Sequence, residues 1–283
     1  VADTQSEMRK ARSKDRAFCF PSPRTGRLTG FELKNILSSA AGATKMVRNT
    51  YLVEGEARSR RRPPGLKSFL IALNIQVDWL LDSIRSIEYS WDPIIWHDGH
   101  SEIERLTLLL EDRRYYRHSG FDPWCIPRVV RQALTFKRIG GVSTIEQQLV
   151  RTILSRRERT IRRKSREILL AWILTHRKSK REILRAYLAT AYYGYKLRGC
   201  DETARLLFGE NAGDLAIEPA AMLASMLVYP LPKAIKQNAG CQAALPVQDL
   251  SAFLDTCGAI TPKWAKKIRR RVNYGVALRR HAK

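Results

Sequence analysis

Several things are scarce in this sequence, and each scarcity removes a class of protein. No run of about 20 mostly apolar residues, the length a membrane helix needs, occurs in the early chain. The most apolar early segment, Leu66 to Ile87, is interrupted by Lys67, Asp78, Asp82 and Arg85, and reads as an amphipathic helix. Val1 to Arg16 is polar and charged and lacks the apolar stretch of a secretory leader. A first residue of Val rather than Met is compatible with a fragment or a processed product. The five cysteines (Cys19, Cys125, Cys200, Cys241, Cys257) are odd in number and scattered, with no Cys-x-x-Cys pair. That argues against a zinc site or a dense disulfide framework and leaves free thiols or at most a bridge or two. Carboxylates are outnumbered, with 27 Asp+Glu against 51 Lys+Arg, for a formal net charge of +24 and a pI near 10.3. Such a balance predicts polyanionic partners: nucleic acid, an anionic membrane or phosphate-bearing substrates. What is plentiful is apolar side chain. At 44% hydrophobic, 283 residues can build one large domain or two modest ones around a proper core.

The pattern along the chain is helical, without strong strand alternation between residues 102 and 230. Residues 1–65 form a basic arm or linker, partly disordered, closing on the charge run Arg58-Ser59-Arg60-Arg61-Arg62 and the breakers Pro63-Pro64-Gly65. Residues 66–100 are a helical extension, ending in a loop over Tyr89 to His100. From Glu102 the leucines Leu106, Leu108, Leu109 and Leu110 lead into Glu111, which places that carboxylate near the end of a buried helix. A helix is predicted over Arg128 to Phe136, broken by Gly140-Gly141. Ser143 or Thr144 then caps a helix through Gln147, Gln148 and Ile153. Further helices are expected over Thr160 to His176, over Arg181 to Tyr192 after Ser179, and over Ile217 to Val228 with Asp214 as its cap. Gly194 and Gly199 mark a loop. The tail from Thr261 to Lys283 spaces Trp264, Ile268, Val272 and Val276 among Lys and Arg, as a basic amphipathic helix does. Such a helix either lies on anionic lipid or packs on the domain.

The chemistry concentrates between Glu111 and Glu167, two carboxylates bracketing Ser, Thr, Gln and many Arg. Singly, none of these residues is specific. A Glu-Asp pair at a helix end is ordinarily a cap or an ion-pair partner. Gln147-Gln148 could be an exposed helix face, and Glu167 could pair with Arg163 or Lys164 on a solvated helix. Glu111 and His118, seven apart, would share a face only on a continuous helix.

The ordered set is another matter. It resembles the peptidoglycan glycosyltransferases, the family 51 transglycosylase domain found alone or in bifunctional penicillin-binding proteins. The family's first motif, E-D-x-x-F-x-x-H-x-G, reads here as Glu111, Asp112, Tyr115, His118 and Gly120, with Tyr for Phe. Its second, G-x-S-T-I-x-Q-Q-L, is matched from Gly141 to Leu149. The third, R-K-x-x-E, is Arg163-Lys164-Ser165-Arg166-Glu167. The fourth is present as Ile183-Leu184-Arg185-Ala186-Tyr187-Leu188, with Ala189 where the family has Asn. A fifth covers Leu215, Glu218, Ala220 or Ala221, Leu223, Ala224 and Pro230.

The resemblance implies a mainly α, lysozyme-like helical glycosyltransferase domain over residues 101–240, with a smaller basic, membrane-facing subdomain and a basic helical tail over 241–283. It implies polymerisation of a lipid-linked disaccharide (lipid II), with donor and acceptor copies as partners, inversion at the sugar, and release of polyprenyl pyrophosphate. Glu111 takes the role of base and Glu167 a second catalytic role. A base working near neutral pH needs its carboxyl raised by partial burial, which Leu106 to Leu110 could supply. Cations aimed at the departing pyrophosphate stabilise charge that grows in the transition state. By the resemblance these are Arg128, Arg151, Arg159 and Arg166, oriented by Glu167, with Arg163 and Lys164 beside them; Arg151 stands where the family usually has Lys. Asp112, Gln147 and Gln148 would bind substrate, the two amides through sugar or phosphate oxygens. Ser143 and Thr144 would shape the loop, and His118 is mainly structural.

No cofactor is required, and no ligand cluster argues for a protein-held metal, although the pyrophosphate has room for a divalent cation, Mg or Mn. Relatives work at the outer, periplasmic face of the bacterial cytoplasmic membrane, usually on an N-terminal anchor that this sequence does not show. The expected partners are therefore an anionic membrane surface and cell-wall synthesis proteins, not nucleic acid. The chain is expected to be monofunctional. Two other readings stay open: a lysozyme-like glycan hydrolase, which also needs a Glu but has no use for so many Arg, and a non-catalytic basic protein on a degenerate scaffold, which would not need both carboxylates.

Overall fold

In the computed structural model, residues 66–89, 100–127, 131, 134, 135, 143–155 and 160–282 are described. The basic arm (1–65), most of the loop before His100, most of the helix expected over Arg128 to Phe136, and Gly141 lie outside these residues, as do Arg128 and Arg159.

Four helices begin where a Ser or Thr side chain can accept from an otherwise orphaned amide. After α1 (Leu66–Tyr89), helix α2 (Glu102–Glu111) starts at Ser101 in a reciprocal capping box: Glu104 N donates to Ser101 Oγ at 3.5 Å, and Ser101 N to Glu104 Oε2 at 3.0 Å. Thr144 caps α3 (Ile145–Ile153), Thr160 caps α4 (Ile161–Arg177), and Ser179 with Glu182 forms a second capping box on α5 (Lys180–Thr190). Between α2 and α3 lie two single turns of 3-10 helix, Tyr115–Arg117 and Pro123–Cys125. The helix of Glu111 therefore stops at Glu111, and His118 does not share a helical face with it.

Two expectations change beyond α5. Tyr192 belongs not to a helix but to a small antiparallel hairpin, β1 (Tyr192–Gly194) with β2 (Leu197–Arg198), so the segment between Gly194 and Gly199 is partly strand. Helix α6 (Cys200–Phe208) follows, and α7 (Ile217–Met226) starts at Ala216 without a side-chain cap. Asp214 accepts instead from Asn211 Nδ2 at 3.2 Å.

After its first turn, which exposes Glu218, helix α7 is buried on every side from Ala220 to Met226, as a helix through the centre of a core must be. Short helices α8 (Lys233–Lys236) and α9 (Ala239–Ala243) lead to α10 (Leu250–Ile260) and α11 (Pro262–His281). The last two pack together, and α11 also lies on α7 and α2. Its apolar stripe of Trp264, Ile268, Val272 and Val276 is buried, and Trp264 Nε1 lies 3.0 Å from the carbonyls of both Tyr229 and Pro230. Of the two readings for the tail, packing on the domain is the one observed. Across the core, α3 packs on α4 and α5, with α1 against α4 and α5. The four described cysteines are buried and form no disulfide among the described residues, Cys241 and Cys257 having their sulfurs 3.8 Å apart.

Candidate active site

The site is built where the end of α2 meets α3, α4 and α11. Glu111 is the last residue of α2, with a side chain 10% exposed. One carboxylate oxygen, Oε1, is paired with Arg271 of α11, which also donates to the Leu110 carbonyl at 3.2 Å. The other, Oε2, accepts from Gln148 Nε2 at 3.4 Å. The Gln148 carbonyl oxygen in turn accepts from the Tyr187 hydroxyl at 2.7 Å, which orients the amide so that its NH2 faces Glu111. Burial lifts the Glu111 carboxyl above its ordinary range, with Arg271 and the Gln148 hydrogen bond pulling partly back.

Asp112 is turned away from this carboxylate and buried. It accepts from the backbone N of Ile145 at 3.3 Å and lies 3.1 and 3.2 Å from His118 Nε2. It thus binds the start of α3 to the first motif. Asp112 and His118 are thus each other's partners in the structure. Gly120 explains its own identity. Its φ is +79°, a conformation costly for residues with a Cβ, and a Cβ would lie 2.6 Å from the Ala171 backbone carbon in α4. Its carbonyl accepts from Thr144 Oγ1 at 2.9 Å and Gln147 Nε2 at 2.8 Å.

Gln147 is consequently in the wall of the site rather than its surface. It is fully buried, with its NH2 on Gly120 and its oxygen accepting from Lys164 Nζ. Both ends of the Gln147 amide are thus held by protein groups. Thr144 is likewise buried, its hydroxyl donating to the Gly120 carbonyl.

Glu167, 4% exposed, gathers the cations: Arg163 and Lys164 at 3.2 Å each and Arg151 at 3.8 Å. Lys164 also donates to Ser143 Oγ at 2.9 Å. Burial pulls the Lys164 ammonium below its ordinary range against the attraction of Glu167, and Arg151 and Arg163 add to the lowering. Arg166 joins Arg151, Arg163 and Glu167 along one crevice, its guanidinium carbon 5.7 Å above the Phe69 ring of α1. Helix α3 thus links the two carboxylates: Gln148 serves Glu111, while Gln147 shares Lys164 with Glu167.

Several residues of this neighbourhood escape a reading of motifs. Glu104 and Glu146 are fully buried and paired with Arg185 (3.1 Å) and Lys180, which ties α2 and α3 to α5. The spacing Ser101-x-x-Glu104 signals the first as a capping box; nothing in sequence signals the second. Tyr187 lies in the fourth motif, but its contact with Gln148 is tertiary. Arg271 lies 160 residues from Glu111 in a helix with many cations, and no sequence signal separates it from its neighbours. Among the described residues, Asp112, His118 and Glu146 bring potential metal-ligand atoms within 4.8 Å of one another. Their partners are already cationic or amide groups, Lys180 on Glu146 and Ile145 N on Asp112, so the grouping reads as an ion-pair network.

A helical protein that sets a buried, raised carboxylate beside a bank of clamped cations is equipped to move a proton next to a leaving anion. The comparisons narrow that class. The family described as Transglycosylase matches residues 90–246, more than half of the chain. Penicillin-binding protein 2D of Bacillus subtilis is 36% identical over 140 residues, 48% of this chain and 20% of that protein. Penicillin-binding protein 1A of Vibrio cholerae is 36% identical over 135 residues, 47% of this chain and 16% of that protein. Penicillin-binding protein 2a of Streptococcus pneumoniae is 33% identical over 133 residues, 47% and 18% respectively. The chain belongs to the transglycosylase family, and its match spans about a fifth or less of the length of these curated relatives.

Proposed function

We propose that this protein is a peptidoglycan glycosyltransferase that polymerises a lipid-linked disaccharide into glycan strands. The observation that carries the reading is a pair of roles joined through neighbouring residues of α3: a buried carboxylate held above its ordinary range and bound by Gln148, and a carboxylate-clamped group of Arg151, Arg163 and Lys164 bound through Gln147. Glu111 removes the proton from the acceptor sugar hydroxyl, and that oxygen attacks the anomeric carbon of the donor. The bond to the pyrophosphate breaks as the glycosidic bond forms, so the centre inverts without a covalent sugar intermediate. The leaving polyprenyl pyrophosphate takes the electron pair, and the cations meet the charge as it grows. Arg128 and Arg159, from motif matching alone, are assigned to the same anion. Glu167 works by holding its cations in place rather than by moving a proton.

The reaction so written needs no cofactor. A divalent cation such as Mg or Mn would be held chiefly by the substrate's own phosphate oxygens, and turnover in a chelator tests whether one matters. The substrate's lipid places the work at a membrane surface, which we assign by family to the outer face of the bacterial cytoplasmic membrane, alongside other cell-wall synthesis proteins. No described helix is long and apolar enough to cross a membrane. The deciding experiment incubates the purified chain with labelled lipid-linked disaccharide. Long glycan chains support the transferase, cleavage of preformed glycan supports a hydrolase instead, and neither activity would refute catalysis altogether.

A further inference from the structure

Helix α11 lies beyond the stretch matched by the family, residues 90–246, yet it contributes a residue to the site. Three of its residues, Arg271, Gly275 and Arg279, recur every fourth position and so form one stripe. That stripe runs antiparallel along α2. At one end Arg279 pairs with both oxygens of Glu102, at 2.7 and 2.8 Å. In the middle Gly275 meets the Leu106 and Leu110 side chains. A Cβ there would lie 3.2 Å from Leu110 Cδ1, so the small residue sets how closely the helices approach. At the other end Arg271 reaches the Leu110 carbonyl and Glu111 Oε1. We propose that Arg271 is a positioning residue for the Glu111 base, with α11 acting as a strut that delivers its guanidinium to the end of α2. This inference rests on the assignment of Glu111 as the base.

The guanidinium does two things that a solvated partner could not. It binds a terminal carbonyl of α2 and the carboxylate together, so the side chain at the helix end has one orientation rather than several. With Gln148 holding Oε2, both oxygens are engaged from opposite elements, α11 and α3. It also supplies the positive charge that keeps the buried group usable as an anion. The other groups whose charge acts on or feels the carboxylate are Asp112, turned away beside it, Tyr187 from α5 and Tyr193 from β1, with Arg151 of α3 acting on Tyr187. Burial pushes both phenols far up, so they stay neutral and offer no substitute for the cation.

The test compares the full chain with Arg271→Gln, Arg271→Lys and Arg279→Gln. Glu111 is titrated directly by 13C carboxylate NMR, its resonance assigned by its loss in Glu111→Gln, and the pH profile of polymer formation is measured in parallel. Removing an adjacent opposite charge shifts a carboxyl by about 1–3 pH units. Arg271→Gln should therefore raise both the Glu111 midpoint and the acid limb of the profile by about 1–2 units, lowering turnover about tenfold per unit on that limb. Arg271→Lys, which keeps charge but not the fork, should fall between, and remains informative if the Gln variant does not fold. Arg279→Gln weakens the docking of α11 at its far end and should leave both midpoints where they are. An unmoved midpoint in Arg271→Gln overturns the proposal, as does an equal shift in Arg279→Gln, which would mean that undocking alone accounts for the effect. A wild-type chain that forms no polymer overturns the transferase reading instead, and the titration still decides the pairing.

Discussion

Gly120→Ala isolates the anchor beneath the site. The alanine would have to keep φ at +79°, which costs an L-residue about 1–2 kcal/mol. Its Cβ would also stand 2.6 Å from Ala171 C, 2.7 Å from Ala171 O and 2.7 Å from Trp172 N. These are backbone atoms inside α4, not the yielding tip of a side chain, so relief requires the Asp112–Gly120 segment to retreat from the helix. Overpacking of that kind costs about 1–3 kcal/mol more. The sum, about 2–5 kcal/mol, is a large share of the 5–15 kcal/mol typical of a folded domain. At roughly 2–4 °C per kcal/mol it corresponds to a melting point lower by about 4–20 °C. Retreat also displaces the carbonyl that holds Thr144 and Gln147, so polymer formation should fail at temperatures where the variant is still folded. Thermal and urea melts of the purified chain read the first effect and the labelled-disaccharide assay the second. Gly258→Ala, in α10, is the contrast: its new Cβ would meet only Ala265 Cβ of α11, at an ordinary 3.7 Å. It should stabilise by about 0.5–1 kcal/mol. A Gly120→Ala chain that melts within 1 °C of wild type (on the order of 0.5 kcal/mol or less) would refute the reasoning.

Three further outcomes follow from the same geometry. Glu111→Gln should retain the fold and lose about 10²–10⁴-fold in turnover, the usual worth of a positioned base; unchanged polymer synthesis would remove Glu111 from that role. Because burial raises the Glu111 carboxyl, it keeps its proton to a higher pH than an exposed Glu near ~4.3. The base is active only when deprotonated, so kcat/KM should fall as pH drops through a midpoint above that value and be flat above it; a limb at or below ~4.3 contradicts the burial argument. Glu104→Ala opens the capping box of α2 and takes the buried carboxylate from Arg185, and should cost about 3–5 kcal/mol by urea denaturation, against near neutrality if that pair contributes nothing.

The local elements were largely legible in the order of residues, because their causes are local. Ser101, Thr144, Thr160 and Ser179 sit at the boundaries where their side chains cap helices, and of the leucines before Glu111, Leu106 is fully buried while Leu108 and Leu110 pack half-buried against the core. The exceptions are instructive. Asp214 has the right chemistry for a cap but bonds Asn211 instead, and Tyr192 leaves the helical pattern to pair across a hairpin whose partner strand a single-strand pattern does not reveal. Motif order was enough to gather Glu111, Arg151, Arg163, Lys164 and Glu167 into one neighbourhood.

What motifs could not do was divide the roles within that neighbourhood. Asp112 and Gln147 carry the same side chains wherever they lie; their protein partners, Ile145 N for the one and Gly120 O and Lys164 for the other, come from how α3 packs on the first motif and α4. The charge of α11 likewise predicts a surface for anions in general. Which of its arginines turns inward depends on the apolar stripe of Trp264, Ile268 and Val272 finding α7, and on Gly275 admitting the leucines of α2. Sequence by itself determined the helices, the residue types of the site and the family. The tertiary structure alone decided that Arg271 faces Glu111, because a pairing across 160 residues is fixed by the packing of two helices, and nothing in the sequence of α11 sets Arg271 apart from the arginines beside it.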